Sequence, residues 1–243
     1  MNPETINQLN QINKQFYTIT AQEFDATRGQ AWWGWRGLLT HLQARPGPLK
    51  VLDVGCGNGR FGLFLAENYS EQIAYHGIDN NEALLAYAET SLKDIPHLHA
   101  QLEMVDIVNQ PLPAATYDLV VLFGVIHHIP AYQNRQTFIQ KLARCVHPGG
   151  LLVFASWRFY EHERFQERIV PWDTLDLPLQ VEKHDYLLDW RRGERALRYC
   201  HYVDDAEQQA LEVASGLDLL ERYRADGFSN DINAYSVLKA PLS

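Results

Sequence analysis

The sequence predicts a doubly wound α/β fold, a mostly parallel sheet of about seven strands with a helical piece before it. Three observations carry this prediction. Short apolar runs alternate with amphipathic stretches through the middle of the chain, the pattern of strands joined by crossover helices. The first run, Val51-Leu52-Asp53-Val54, empties into alternating glycines and then a helix pattern. The next run closes on a carboxylate, Asp79.

Each element has its own signal. Residues 50–54 form a short apolar run ending in turn residues, which reads as a buried strand. Residues 60–68 place apolar residues at Phe61, Leu63, Phe64 and Leu65, a helix pattern. Residues 75–79 are a second strand, and Asn81 is a suitable cap for a helix reaching residue 92. Residues 98–105 alternate and read as a third strand. Residues 117–124 are the most apolar run, so they belong in the middle of the sheet. A helix over 131–146 is expected to stop at His147-Pro148-Gly149-Gly150, and residues 151–155 follow as a strand. Residues 204–216 read as a helix capped by Asp204 or Asp205 and ended by Gly216. Residues 217–224 and 233–239 are the final strands. Residues 1–48 are then a helical appendage or lid, and 49–243 the sheet domain. Residues 157–203, rich in Trp, Arg, Glu and Asp, show no strand–helix unit and read as an insertion that shapes the substrate site.

Composition narrows the function classes. The 243 residues are 46% hydrophobic and 21% charged, as in ordinary globular domains. No stretch supplies the roughly 20 consecutive apolar residues of a membrane span, and the polar start does not read as a signal peptide. Three cysteines are too few for a disulfide scaffold and favour a reducing, cytoplasmic setting. A net charge of -9 argues against a broad electrostatic grip on nucleic acid. Two local exceptions stand out. Residues 1–49 hold four basic against three acidic side chains, and Arg191, Arg192, Arg195 and Arg198 form a basic knot in an acidic segment.

The chemistry is carried by Asp53-Val54-Gly55-Cys56-Gly57-Asn58-Gly59. Glycines after a strand turn tightly and let a ligand approach the backbone. In such sheets the ligand sits beyond the carboxyl ends of the strands, and an acid ending the second strand suits the hydroxyls of a ribose. The spacing is G-x-G-x-G, not the G-x-G-x-x-G that cradles a pyrophosphate, and no P-loop motif occurs. Asp53 would be a poor neighbour for pyrophosphate but suits a ligand with an ammonium and a sulfonium. His127 and His128 follow the fourth strand at the ligand edge, where a neutral imidazole can orient a substrate or take a proton. One of the adjacent pair is expected to point away. No metal is expected, because the adjacent pair, or His97 with His99, supplies two ligands at most. Trp32, Trp33 and Trp35, with Phe16, Tyr17 and Phe24, are expected mainly to pack the N-terminal piece onto the domain.

The segments VLDVGCGNGRF, GIDNNEALL, MVDI, YDLVVLFGVIHHI and HPGGLLVF resemble the successive motifs of class I S-adenosylmethionine-dependent methyltransferases. The resemblance implies a Rossmann-like methyltransferase fold with S-adenosylmethionine as cofactor. It implies that Asp53, Gly55, Gly57 and Gly59, with Cys56 and Asn58 in the same turn, line the methionine part. Asp79 would hold the ribose, Asn80 would flank the adenine, and Asp106 and Ile107 would meet its amino group and ring. Phe123, Gly124 and Val125 would end the fourth strand beside the methyl group.

A narrower resemblance runs over about residues 14–240. FYTITAQEFDATRGQAWWGW, VIHHI, VPW, RYCHY and NAYSVL are similar to segments of the eukaryotic tRNA methyltransferases that esterify a carboxymethyl group on wobble uridine. Cys200 and Tyr202 depart from that family's pattern. The resemblance implies a carboxylate acceptor on tRNA, with a small carboxylic acid as the alternative. Tyr17 and Arg28 would reach the cofactor, and Arg28, His127, His128 and Arg198 would serve the acceptor. A planar guanidinium suits a carboxylate. Those relatives work with a small zinc-binding activator on a sheet edge, here the strand at 98–105.

Overall fold

The computed structural model describes residues 1–27, 29–43, 47–191 and 193–242. Its centre is a seven-stranded sheet ordered β3-β2-β1-β4-β5-β10-β9. The strands are β1 (Leu49–Val54), β2 (Ile73–Asp79), β3 (Leu98–Met104), β4 (Tyr117–Phe123), β5 (Val146–Trp157), β9 (Asp218–Ala225) and β10 (Asn233–Lys239). β3, β2, β1, β4 and β5 run parallel, and β10 and β9 join antiparallel.

Alternation along the strands sends side chains to two cores. Leu49 and Val51 of β1, Leu119 and Val121 of β4, and Val153 of β5 enter one of them. They meet Phe61, Phe64 and Leu65 of α3 (Arg60–Asn68), together with Trp35, Leu38 and Leu42 from the N-terminal segment. Leu52, Val54, Val120, Leu122 and Phe154 enter the other core. They pack on Phe138, Ile139 and Leu142 of α5 (Tyr132–Arg144) and Leu211 of α7 (Asp205–Ser215). Burial on both faces explains why β1 and β4 are continuous apolar runs.

The expected caps form. Asn81 accepts from the Leu84 amide at the start of α4 (Glu82–Leu92), Asp204 accepts from the Glu207 amide, and Gly216 ends α7 in the left-handed region. The helix expected to reach residue 146 stops at Arg144, and His147-Pro148-Gly149-Gly150 enters β5 rather than a loop. The register against β4 shifts between Tyr117 and Leu119. Gly149, at φ +75°, donates to the Ala240 carbonyl. The Pro-Gly-Gly therefore makes an irregular strand entry, where glycine accepts a backbone that other residues avoid.

The N-terminal segment is helical as expected: α1 (Pro3–Ala26), a 3₁₀ turn (Trp33–Leu38) and the short α2 (Leu39–Gln43). Residues 157–203 hold more order than the sequence pattern suggests. After the short α6 (Glu163–Gln166), β6 (Ile169–Val170), β7 (Asp185–Trp190) and β8 (Ala196–His201) make a separate antiparallel sheet. Its register is anchored by buried charge. Arg135 of α5 donates to Glu207 of α7 at 2.6 Å. His201 of β8 sits between Asp185 and Glu207, each at 2.7 Å. Burial alone would discharge His201, but these two carboxylates hold its pKa above the ordinary value. This network ties β8 to both helices. No helix among the described residues is long and apolar enough to cross a membrane.

Candidate active site

The strand order reverses between β1 and β4, so a crevice opens beyond their carboxyl ends. It contains a cavity of about 440 Å³, within the range of small-molecule sites. The glycine turn forms its floor. Gly55, at φ +75°, lies so close to Val125 that a Cβ there would strike that side chain. Gly57, at φ +53°, has only the Phe24 ring, at 3.9 Å, near the place of a Cβ, so its backbone faces open space. Gly59 does something different from the expected lining. It starts α3 at φ +79° and packs against Ala88 and Leu92 of α4, so it serves helix packing.

Two carboxylates frame the turn. Asp79 accepts from the amides of Gly57 at 2.8 Å and Asn81 at 2.9 Å, which pins the turn to the end of β2. Desolvation raises its pKa against those hydrogen bonds. Asp53 is buried and accepts from the Tyr75 hydroxyl at 2.5 Å. Among the described residues no basic group lies in ion-pair range of it. Burial pushes its carboxyl up to about 7, with Asp79 adding to the rise and Tyr75 and Arg60 opposing it.

The remaining lining divides by chemistry. Asp79, Asn80, Leu84, Ile107 and Val108 line one end. Asp106, expected beside an adenine, is engaged elsewhere. Its carboxylate pairs with Lys14 at 2.8 Å and accepts from Asn10 and Asn109, and Ile107 and Val108 face the cavity in its place. Phe123, Gly124 and Val125 line the centre, with Trp32 of the N-terminal segment over Gly124. Cys56 lines the floor, as does Asn58, which donates to Asp25 of α1 at 2.8 Å. Trp35 belongs to the core around Phe61, as expected for most of this aromatic set, whereas Trp33 is 62% exposed.

Both His127 and His128 line the cavity, which corrects the expectation that one would turn away. The short 3₁₀ turn Ile126–His128 and the close, tilted contact of the two rings, 4.2 Å between centroids at 52°, keep them on one side. His128 Nδ1 lies 3.0 Å from the Tyr199 carbonyl, which can only accept, so Nδ1 carries the proton. Nε2 then accepts from the Tyr17 hydroxyl at 2.9 Å. Burial, helped by Arg198, pushes the His128 pKa down to about 3. His128 is therefore a neutral fixture that orients Tyr17 of α1. Cys200 lies 4.0 Å from Nδ1, and burial lifts its thiol to about 12. His127, His128 and Cys200 bring three donor atoms within 4.8 Å of one another, one more than the two ligands expected from the sequence, although both His128 nitrogens already have partners.

Arg198 is the most unusual group. It is only 8% exposed, it lines the cavity, and no carboxylate among the described residues is within ion-pair range. Three rings hold its guanidinium instead: Trp157 at 4.6 Å, Phe16 at 5.2 Å and Trp190 at 5.9 Å. Such stacking offsets part of the cost of a desolvated cation. The basic knot expected around it is dispersed. Arg191 and Arg195 both approach Asp189 at 3.4 Å, Arg198 turns inward, and Arg192 lies outside the described residues. Arg28 lies outside them too. Sequence reasoning missed Asn13, Trp157, Arg164, Phe165, Arg168 and Trp190 as lining residues. The only signal for most of them was the density of Trp and Arg in the insertion.

The pocket's donor set fits S-adenosylmethionine. Asp53 is a buried acid with no basic group in ion-pair range among the described residues, the Gly57 backbone is open to the cavity, and Asp79 ends β2 with a carboxylate suited to ribose hydroxyls. Residues 51–150 match the family model described as methyltransferase domain. The chain is 29% identical over 168 residues to "Probable tocopherol O-methyltransferase, chloroplastic" of Oryza sativa subsp. japonica, covering 68% of this chain and 42% of that protein. It is 28% identical over 170 residues to "Probable tRNA methyltransferase 9B" of Bos taurus, covering 67% and 34%. The chain thus spans well under half the length of these relatives. Among solved structures, a SAM-dependent methyltransferase from Methanosarcina mazei aligns with a TM-score of 0.64 at 17% identity, over 84% of this chain and 98% of that one. The N-methyltransferase NodS from Bradyrhizobium japonicum, in complex with S-adenosyl-l-homocysteine, aligns with a TM-score of 0.58 at 18% identity, over 98% of both chains. The fold is the Rossmann-like fold of these methyltransferase structures, and residues 51–150 match a methyltransferase domain.

One pH prediction follows from Asp53. Its carboxyl titrates near 7 when the site is free, and pairing with the cofactor's ammonium requires the ionised form. Cofactor affinity should therefore fall by about tenfold per pH unit below 7. The stability of the free protein moves the other way, because a raised carboxyl pKa favours the folded state at low pH and that benefit is lost as pH rises through about 7. Titration calorimetry across this range checks the first effect, and Asp53→Asn should flatten its slope.

Proposed function

We propose that this chain is an S-adenosylmethionine-dependent methyltransferase that esterifies a carboxylate, delivered into the cavity by a small carboxylic acid. The observation that carries the reading is Arg198, a buried guanidinium that opens into the cavity with aromatic faces and no acidic partner among the described residues. A desolvated cation left unpaired in the free protein is costly. A planar carboxylate satisfies it through two parallel N–H donors.

S-Adenosylmethionine, when bound, supplies an electrophilic methyl group on a sulfonium sulfur. An ionised carboxylate is already a nucleophile at pH 7, so the protein needs no general base. A neutral His128 agrees with that. The work left to the chain is orientation and exclusion of water. Arg198 holds the acid and the rings of Trp157 and Trp190 shield it. The C–O bond forms as the S–C bond breaks, and the opposite charges of acid and sulfonium cancel without a proton moving.

A second reading keeps the same chemistry on a tRNA-borne carboxymethyluridine. It draws on the likeness to the bovine protein and on the motif resemblance. The scattered knot weighs against it, since Arg191 and Arg195 share Asp189 and Arg198 is enclosed. Labelled S-adenosylmethionine offered with a panel of small acids, and separately with bulk tRNA, tests both readings. Base-labile methyl ester on a small acid is the expected result. Ester on tRNA alone would select the second reading. Label found only on amines or hydroxyls would overturn the carboxylate chemistry.

A further inference from the structure

Beyond Arg198 the acceptor half of the cavity holds more positive charge than one carboxylate requires. Arg164 and Arg168, which flank the end of α6, line the same cavity. Both guanidinium groups lie over the ring of Phe165, at 4.7 and 5.6 Å from its centroid. Phe165 meets Trp157 edge-on at 4.9 Å, and Trp157 carries Arg198 at 4.6 Å. Arg198 and the Arg164 pair therefore stand two aromatic rings apart along one wall.

Asp226, which lines the cavity, and Glu161 and Asp231 are already committed. Asp226 accepts from the Gly34 amide, Asn233 and the Tyr235 hydroxyl. Glu161 accepts from Arg224 and Tyr202 and lies 3.7 Å from Arg158. Asp231 accepts from Ser229 and faces His162 at 3.7 Å. No carboxylate among the described residues is within ion-pair range of Arg164. Phe228, 99% exposed, contributes the other ring beside that guanidinium.

We propose that Arg164, with Arg168, is a second anion-binding point, so that the acceptor carries two acidic groups separated by a flat apolar body of about two rings. This rests on the carboxylate reading of Arg198. The inner acid is the one methylated, and the outer acid stays at the mouth, where Arg164 is exposed.

The test uses the full chain saturated with S-adenosylhomocysteine and three calorimetric probes. One is a biphenyl monocarboxylate, one a biphenyl dicarboxylate with its acids at opposite ends, and one has phosphate in place of the distal acid. A doubly acidic probe should bind roughly five- to tenfold more tightly than the monoacid, an advantage that shrinks with salt. Arg164→Gln, at an exposed position, should remove most of that advantage and leave monoacid binding unchanged. Whichever distal acid binds better then names the outer group. Equal binding of all three probes, or an advantage that survives in an Arg164→Gln, Arg168→Gln double variant, overturns the second point while the carboxylate reading stands. Failure of every probe to bind would remove the carboxylate reading and the second point with it.

Discussion

Replacing Asp79 by alanine is expected to weaken binding of S-adenosylhomocysteine by roughly 10- to 150-fold, the range of one or two charge-assisted hydrogen bonds. The free protein should unfold at nearly the same temperature. The two halves of this prediction have separate causes. In the free site the carboxylate accepts from the backbone amides of Gly57, Asn81 and Asn80, and desolvation raises its pKa. It is thus an acid held at a cost to the fold, and removing it relieves that cost while freeing the amides it holds. A cofactor ribose would bring hydroxyl donors to the same oxygens. Calorimetry and a thermal melt on one sample separate the effects. A variant that binds normally would mean that Asp79 only shapes the turn. A variant that melts far lower would mean that it is chiefly structural.

The glycine-turn half of the candidate site was legible because its determinants are local. The acid, the glycines and the following helix are contiguous, and Asp79 ends the adjacent strand, so one parallel pairing brings them together. The exceptions are instructive. Gly59 sits in the same motif but faces Ala88 and Leu92, because α4 needs close approach there. Asp106 was placed by motif position, yet Lys14 and Asn10 arrive from the distant α1 and take its carboxylate. The acceptor half was far less legible. Phe16, Trp157, Trp190 and Arg198 come from α1, the end of β5, β7 and β8, and only the pairing of β7 with β8 and their docking on α1 converge them. Period and composition carry no record of such long-range contacts. For the same reason the four arginines read as a basic knot, although Arg198 lies in β8 and turns into the cavity while Arg191 and Arg195 share Asp189.

Replacing Arg198 by methionine should lower kcat/KM for the carboxylate acceptor by roughly 30- to 5,000-fold, the cost of truncating one partner of a buried, hydrogen-bonded charge pair. Cofactor binding should be unaffected, because Arg198 lies among the acceptor-side rings and Asp53 and Asp79 at the cofactor end. The choice of residue separates function from folding. Methionine keeps the apolar stem that packs against Phe16, Trp157 and Trp190 and removes a charge that no carboxylate among the described residues balances. Replacing an isolated buried ion with an apolar side chain of similar size tends to leave a fold as stable or more so. The variant should therefore melt no lower than the parent while losing turnover. Arg198→Lys refines the point. It retains the charge but loses the planar fork, so it should recover less than the Coulombic attraction alone would give. Full activity in Arg198→Met would remove this residue from the acceptor site. Full activity in the lysine variant with loss in the methionine variant would reduce its role to that of a point charge. A loss in both, with the cofactor still bound, is the result that a bidentate carboxylate contact requires.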